Sequence, residues 1–113
     1  MGAELDPREA EFQAQIEALR LHFMQELPGR RAALALAWGD CTDGGDEAPW
    51  LRLRDVAHKL AGSAPCYGLD AVGDAARNLD RLLSGRMPCR ERDLATAAVA
   101  LLTVVLDAAI VAA

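Results

Sequence analysis

Leu69, Val72, Ala76, Leu79 and Leu83 follow one another at alternating steps of three and four residues. That spacing keeps apolar side chains on one side of an α-helix and makes the seam along which antiparallel helices pack. The same rhythm links Phe12, Ile16, Leu19 and Phe23. It returns in Trp50, Leu53, Val56, Ala57, Leu60, Ala64 and Tyr67. No stretch alternates apolar and polar residues with the period of two that a half-buried strand requires. The sequence therefore predicts an all-α fold, an up-down antiparallel four-helix bundle with an additional N-terminal helical segment.

Start and stop signals divide the chain into elements. Asp6-Pro7-Arg8-Glu9 reads as a helix start, with Asp6 as cap, Pro7 in the first turn and Glu9 completing a capping box. Residues 1–5 before it are expected to be flexible. Pro28-Gly29 is expected to interrupt or kink the first element, and a further helical stretch carrying Leu34 and Trp38 runs to Gly39. Residues 39–49, rich in glycine and aspartate, read as an exposed loop. Gly68 is the natural turning point after the next helix, and Ser84-Gly85 with Pro88 closes the one that follows. With 113 residues, the chain has the size of one domain with one core. The expected core is Phe12, Ile16, Leu19, Phe23, Leu34, Leu53, Val56, Leu60, Leu69, Val72, Leu79, Leu83, Leu94, Leu101 and Val105.

The last twenty residues, Leu94 to Ala113, are apolar enough to raise the question of a membrane. Thr96, Thr103 and Asp107 lie at i, i+7 and i+11, on one stripe of a helix. An aspartate in lipid would cost about 2.5–3.5 kcal/mol. A soluble amphipathic helix is the expectation, with no membrane contact. A net charge of −5 argues against nucleic acid, which needs a basic patch. Cys41, Cys66 and Cys89 form no close pair, so free thiols in a reducing, cytoplasmic compartment are expected. His22 and His58 lie far apart without neighbouring cysteine pairs, which makes no recognisable metal site. No P-loop or dinucleotide fingerprint is present.

His58 stands out. On a helical wheel it falls nearly opposite the apolar stripe of its own segment, facing solvent. Arg54 and Asp55 lie one turn before it, Ala61 and Gly62 one turn after. Leu51, Ala61 and Pro65 form a modest apolar rim suited to docking another protein. Glycine inside a helix costs roughly 0.5–1 kcal/mol relative to alanine, so Gly62 suggests that a bulky group must come close to the backbone beside His58. A neutral imidazole nitrogen is a competent nucleophile near physiological pH. His22, in an ordinary amphipathic stretch, reads as a surface or structural residue.

The stretch HKLAGSAPCYGLDAVGDAARNLD resembles the histidine-containing phosphotransfer (HPt) domain family, whose signature runs His-x-Leu-Lys-Gly-Ser-x-x-x-x-Gly-Leu. His58, Leu60, Gly62, Ser63, Gly68 and Leu69 stand at those places. Leu79 and Asp80 follow where the family usually has leucine and then glutamate or glutamine. Ala61 departs, replacing the family's lysine. The resemblance implies a phosphocarrier rather than an enzyme. His58 would take a phosphoryl group from the aspartyl phosphate of a receiver domain and return it to another receiver's aspartate. It implies receiver domains and a hybrid histidine kinase as partners and no cofactor, Mg²⁺ being expected on the receiver. A monomer is the expected state.

Neighbouring residues take expected roles by charge and reach. Lys59 lies about 100° around the helix from His58, within swing of a phosphorylated imidazole. Arg54 is a possible substitute for the missing lysine. Gly62 and Ser63 complete the expected supporting set with Asp80. From the next helix, Asp80 meets His58 Nδ1 directly, through a water, or not at all. Two rival functions stay open: a degenerate HPt bundle that binds receivers or kinases without being phosphorylated, and the substrate module of a chemotaxis-type kinase.

Overall fold

The computed structural model describes residues 6–42, 45–84 and 92–112. Among the described residues are four α-helices and no strand. Helix α1 spans Pro7–Asp40, α2 Ala48–Ser63, α3 Asp70–Ser84 and α4 Arg92–Ala112; a 3₁₀ turn, Ala64–Tyr67, follows α2 directly. Asp6 caps α1 as expected, its Oδ1 accepting the Arg8 N–H at 2.9 Å. The expected 39–49 loop is shorter than its composition suggests. Gly39 and Asp40 still belong to α1, and Pro49 sits in the first turn of α2, where its missing N–H costs nothing. The readings made for residues 1–5, Gly85, Pro88 and Cys89 lie outside the described residues, as do positions 43 and 44 of that loop.

Of the two effects expected at Pro28-Gly29, an interruption or a kink, the interruption does not occur: Pro28 lies inside one continuous 34-residue helix. A proline there removes one backbone hydrogen bond and crowds the carbonyl four residues earlier, at a cost of about 3 kcal/mol. Leu27 and Leu34, both essentially inaccessible, anchor the two sides of Pro28 to the bundle at about 1.5–3 kcal/mol each. Their burial offsets the proline. The additional N-terminal segment is thus the first half of α1 itself. Every residue from Pro7 to His22 is exposed, and burial begins at Phe23. The molecule is accordingly elongated, 64 × 24 × 20 Å.

Aromatic contacts establish the antiparallel course. Trp38 of α1 meets Trp50 of α2 edge-on at 5.9 Å, and Phe23 stacks on Tyr67 at 4.7 Å. Arg92 opens α4 beside the same tryptophans, its guanidinium 4.8 Å from the Trp38 ring. Near the other end of α4, Asp107 receives Arg31 of α1 at 2.8 and 3.3 Å. That hydrogen bond raises the Arg31 pKa and lowers that of Asp107. Thr96, Thr103 and Asp107 share one side of α4 by register; Asp107 there meets α1, while the Thr96 and Thr103 hydroxyls donate to the Arg92 and Val99 carbonyls of their own helix.

Phe23, Leu34, Leu53, Leu60, Val72, Leu79 and Leu83 are buried as expected, while Val56, Leu69 and Val105 are half-buried. Phe12, Ile16, Leu19, Leu94 and Leu101 are exposed, contrary to expectation. The first three lie on the half of α1 that projects past the bundle. The other two lie on the outer side of α4, which faces inward with Ala95, Ala98, Val99, Leu102 and Leu106. Alanines form much of the interior, Ala57, Ala64, Ala75 and Ala76 among them. Small side chains let the helices approach closely, and a search for large apolar residues passes over them.

The turn between α2 and α3 depends on two glycines. Gly68 adopts φ +79°, a left-handed conformation natural to glycine, and its N–H donates to the Ala64 and Pro65 carbonyls. Gly73 is buried, and a Cβ on it would stand 2.5 Å from Pro65 Cγ. Gly73→Ala should therefore destabilise the bundle by about 1–3 kcal/mol. Gly62→Ala, where a Cβ meets open space, should be neutral or stabilising by up to about 1 kcal/mol. Urea unfolding of the two variants checks both signs.

The Arg31–Asp107 pair also has a pH signature. The Asp107 carboxyl is held below its ordinary value by the Arg31 hydrogen bond. Its stabilisation is therefore present above the carboxyl's unfolded pKa and lost as pH falls through the depressed folded value. The melting temperatures of wild type and Asp107→Asn should differ at neutral pH and converge in acid.

Candidate functional site

His58 lies in the middle of α2 on the face turned away from the bundle, with its side chain 73% exposed. His22 is equally open at 71%, so exposure does not distinguish the two. Their partners do. His22 Nε2 meets Glu26, one turn away on the same helix, at 2.6 Å. His58 Nδ1 meets Asp80 Oδ2 on α3 at 3.0 Å. The Asp80 carboxyl is only 17% exposed, wedged between two helices rather than waving in water.

This contact decides the chemistry of the ring. An ionised carboxylate can only accept, so a neutral His58 bonded to it carries its hydrogen on Nδ1. Nε2 is left with a free lone pair on the far, solvent-facing side of the imidazole. Of the three arrangements open at the sequence level, the direct bond is the one observed. Asp is one methylene shorter than the Glu common at this position. Antiparallel packing of α2 on α3, set at Gly68 and Gly73, brings it within reach.

The other Asp80 oxygen, Oδ1, is buried without a hydrogen-bond partner among the described residues. Arg54 Nε stands 3.5 Å from it, an ion pair by distance. Arg54, one turn before His58, is thus gathered into the site. Lys59 is not. Its Nζ lies 3.0 Å from Asp55 Oδ2, a turn back along α2. Ser63 also turns away, its hydroxyl donating to the Lys59 carbonyl at 2.6 Å. Gly62 is exposed, and a side chain added there would enter empty space beside the histidine.

Of the expected rim, Leu51 is fully open. Ala61 and Pro65 are half-buried, Pro65 because it packs against Gly73. Leu51, Arg54, Asp55 and His58 line a shallow depression of about 220 Å³. It continues through Leu51 and Asp55 into a broader apolar groove between α1 and α2, about 630 Å³, floored by Ala33, Ala37 and Val56 and edged by Leu36. Leu36 escaped the sequence reading because it falls off the core line of α1. The available signal was its spacing: a leucine two residues after Leu34 and two before Trp38 falls off the line that those residues share.

The fold and the site together define a helical bundle that presents a histidine on an outer helix face, oriented by a carboxylate from the next helix. Residues 18–112 match the family model for the Hpt domain. The chain belongs to that family, whose members are phosphocarriers of two-component signalling rather than classical enzymes. Hpt domains are typically soluble modules that interact with receiver domains and kinases. No curated protein and no solved structure shows significant similarity to the chain.

The site geometry has a spectroscopic consequence. Long-range ¹H–¹⁵N correlation should show neutral His58 with its hydrogen on Nδ1. In Asp80→Ala the ring should shift toward the Nε2–H form that unconstrained histidine prefers.

Proposed function

We propose that this chain relays a phosphoryl group between receiver-domain aspartates, with His58 as the phospho-accepting residue. The observation that carries the reading is the His58–Asp80 hydrogen bond, which leaves Nε2 unprotonated and open to solvent. In the forward step the Nε2 lone pair attacks the phosphorus of an aspartyl phosphate. The new P–N bond forms as the P–O bond to the receiver carboxylate breaks, and that carboxylate departs with the electron pair. Return to a second receiver reverses the step. Nδ1 keeps its hydrogen throughout, and Asp80 stabilises the positive charge that develops on the ring.

Charge and space around Nε2 follow from the same residues. Arg54 takes the role left vacant at Ala61, because its guanidinium already lies beside Asp80 and lines the depression that holds His58. Gly62 keeps the flank clear for the incoming domain. The receiver brings Mg²⁺ and most of the electrostatic stabilisation, so this chain acts as an oriented nucleophile without a metal of its own. The apolar groove edged by Leu36 and Leu51 is the receiver's docking surface, adjoining the histidine. We place the chain in the cytoplasm, where receivers and the kinase that feeds them reside. The degenerate, non-phosphorylated alternative has less support, since the orientation of His58 by a part-buried carboxylate has no use in a purely docking module.

Radiolabel transfer from a phosphorylated receiver tests the reading. His58→Gln should take up no label, yet cost no more than about 1.5 kcal/mol, because the side chain sits on the surface and loses at most its one hydrogen bond to the Asp80 carboxylate. Arg54→Ala should slow transfer on the order of tenfold, the scale of one charge-assisted contact. Lys59→Ala should change the rate by less than about twofold, its ion pair with Asp55 being exposed. Gly62→Gln should block access in a protein that still folds. Label on His58→Gln would overturn the assignment.

A further inference from the structure

Two apolar faces have no partner among the described residues. The first is the line Phe12, Ile16 and Leu19 on the projecting half of α1, exposed by 63%, 44% and 52%. Spaced by four and three residues, these side chains continue the line of Phe23 and Leu27, so they point in the direction that α1 turns to its core. Among the described residues nothing stands opposite them. The projecting half is about 24 Å long, and a helix of that length has marginal stability unless its apolar side is covered. The Hpt match begins only at residue 18.

The second face is the outer side of α4. Leu94, Ala97, Leu101, Val104, Ala108 and Val111 are all exposed and follow one another at steps of three and four. They form a stripe about 26 Å long that matches the period of the α1 line. Helices with this spacing pack at about 20° by setting ridges of one into grooves of the other, and the small Ala97 and Ala108 leave the holes that larger side chains fill.

We propose that the two faces cover each other in a reciprocal dimer, the projecting half of α1 in one copy packing along the outer face of α4 in the second. The dimension is right for a pair. The seven large apolar side chains of the two faces are exposed by 44–85%. At somewhat under 200 Å² each, that is on the order of 700 Å², against about 800 Å² per partner in a standard interface. A two-fold arrangement satisfies both faces on both copies at once. Helix α4 packs on α1 and α3, with α2 diagonally across the bundle, so both His58 side chains stay open in the dimer.

A lipid surface fits less well. By length and composition α4 could cross a bilayer, but Ala95, Val99, Leu102 and Leu106 are committed to the bundle core. The outer stripe is bordered by Asp93 and Asp107 rather than by lysines, and the chain's net charge is −5. An anionic membrane would repel it.

Sedimentation equilibrium of the full chain across the micromolar range should show a monomer–dimer equilibrium. Ile16→Glu and Leu101→Glu, both at surface positions, should each weaken association by at least about tenfold. Helicity by circular dichroism should fall by no more than the turns of the projecting half of α1, and label uptake at His58 should not change. In a background with the native cysteines replaced by serine, mixing Ile16→Cys protein with Leu101→Cys protein should give a disulfide between the two. A monomer throughout the range would overturn the proposal. So would association untouched by either glutamate, a Leu101→Cys homodisulfide formed in preference to the mixed one, or binding to neutral lipid vesicles that Leu101→Glu abolishes. Phosphate transfer is read separately, so failure of the dimer leaves the relay assignment untouched.

Discussion

The close approach of Pro65 to Gly73 is the contact on which the site depends. It lets the 3₁₀ turn after α2 lie directly against the start of α3, with Gly68 taking the left-handed conformation that reverses the chain. His58 and Asp80, 22 residues apart in sequence, lie nearly symmetrically about that reversal. Two helices leaving such a turn side by side bring these positions level. A side chain at Gly73 would wedge the helices apart near their joint, and the displacement would reach the histidine. The pairing of imidazole and carboxylate is therefore a consequence of backbone packing, not of a long side chain searching for a partner.

Seen this way, the functional surface is sparse. One ring nitrogen is fixed by a hydrogen bond, one cation lies within reach, one flank is empty, and an apolar groove begins a turn away. Among the described residues nothing around His58 encloses a substrate. That suits chemistry in which the partner supplies the metal and most of the charge stabilisation, and in which transfer in both directions demands that neither end state be held tightly. Burial of His58 would have strengthened its bond to Asp80, but would have closed the path to a receiver.

Much of this was legible in the residues because periodicity and glycine placement carry direct physical meaning. The seam from Leu69 to Leu83 identified the helix that carries Asp80. The wheel around Trp50 to Tyr67 placed His58 outward, and the positive φ at Gly68 matches the expected turn. Other features were not legible. Pro28 reads as an interruption or a kink on local grounds, yet the helix runs on through it because the flanking leucines are buried in the bundle. Leu94 and Leu101 look like core because α4 is apolar on every side but the stripe of Thr96, Thr103 and Asp107, and only the packing of Ala95 and Ala98 shows which apolar side is inner. Lys59 was within reach of His58 in principle, but Asp55 on its own helix is the nearer partner. In each case a tertiary or competing contact outweighed a sound local rule.

The central claim is that Asp80 holds Nδ1 so that phosphate joins Nε2 of His58. Phosphorus NMR of the ¹⁵N-histidine-labelled, phosphorylated chain tests it most directly, because the two phosphohistidine isomers differ in chemical shift and in their coupling to the ring nitrogens. A single phosphoramidate signal coupled to His58 Nε2 is the predicted result. A signal coupled to Nδ1, or one that belongs to His22, would contradict the account.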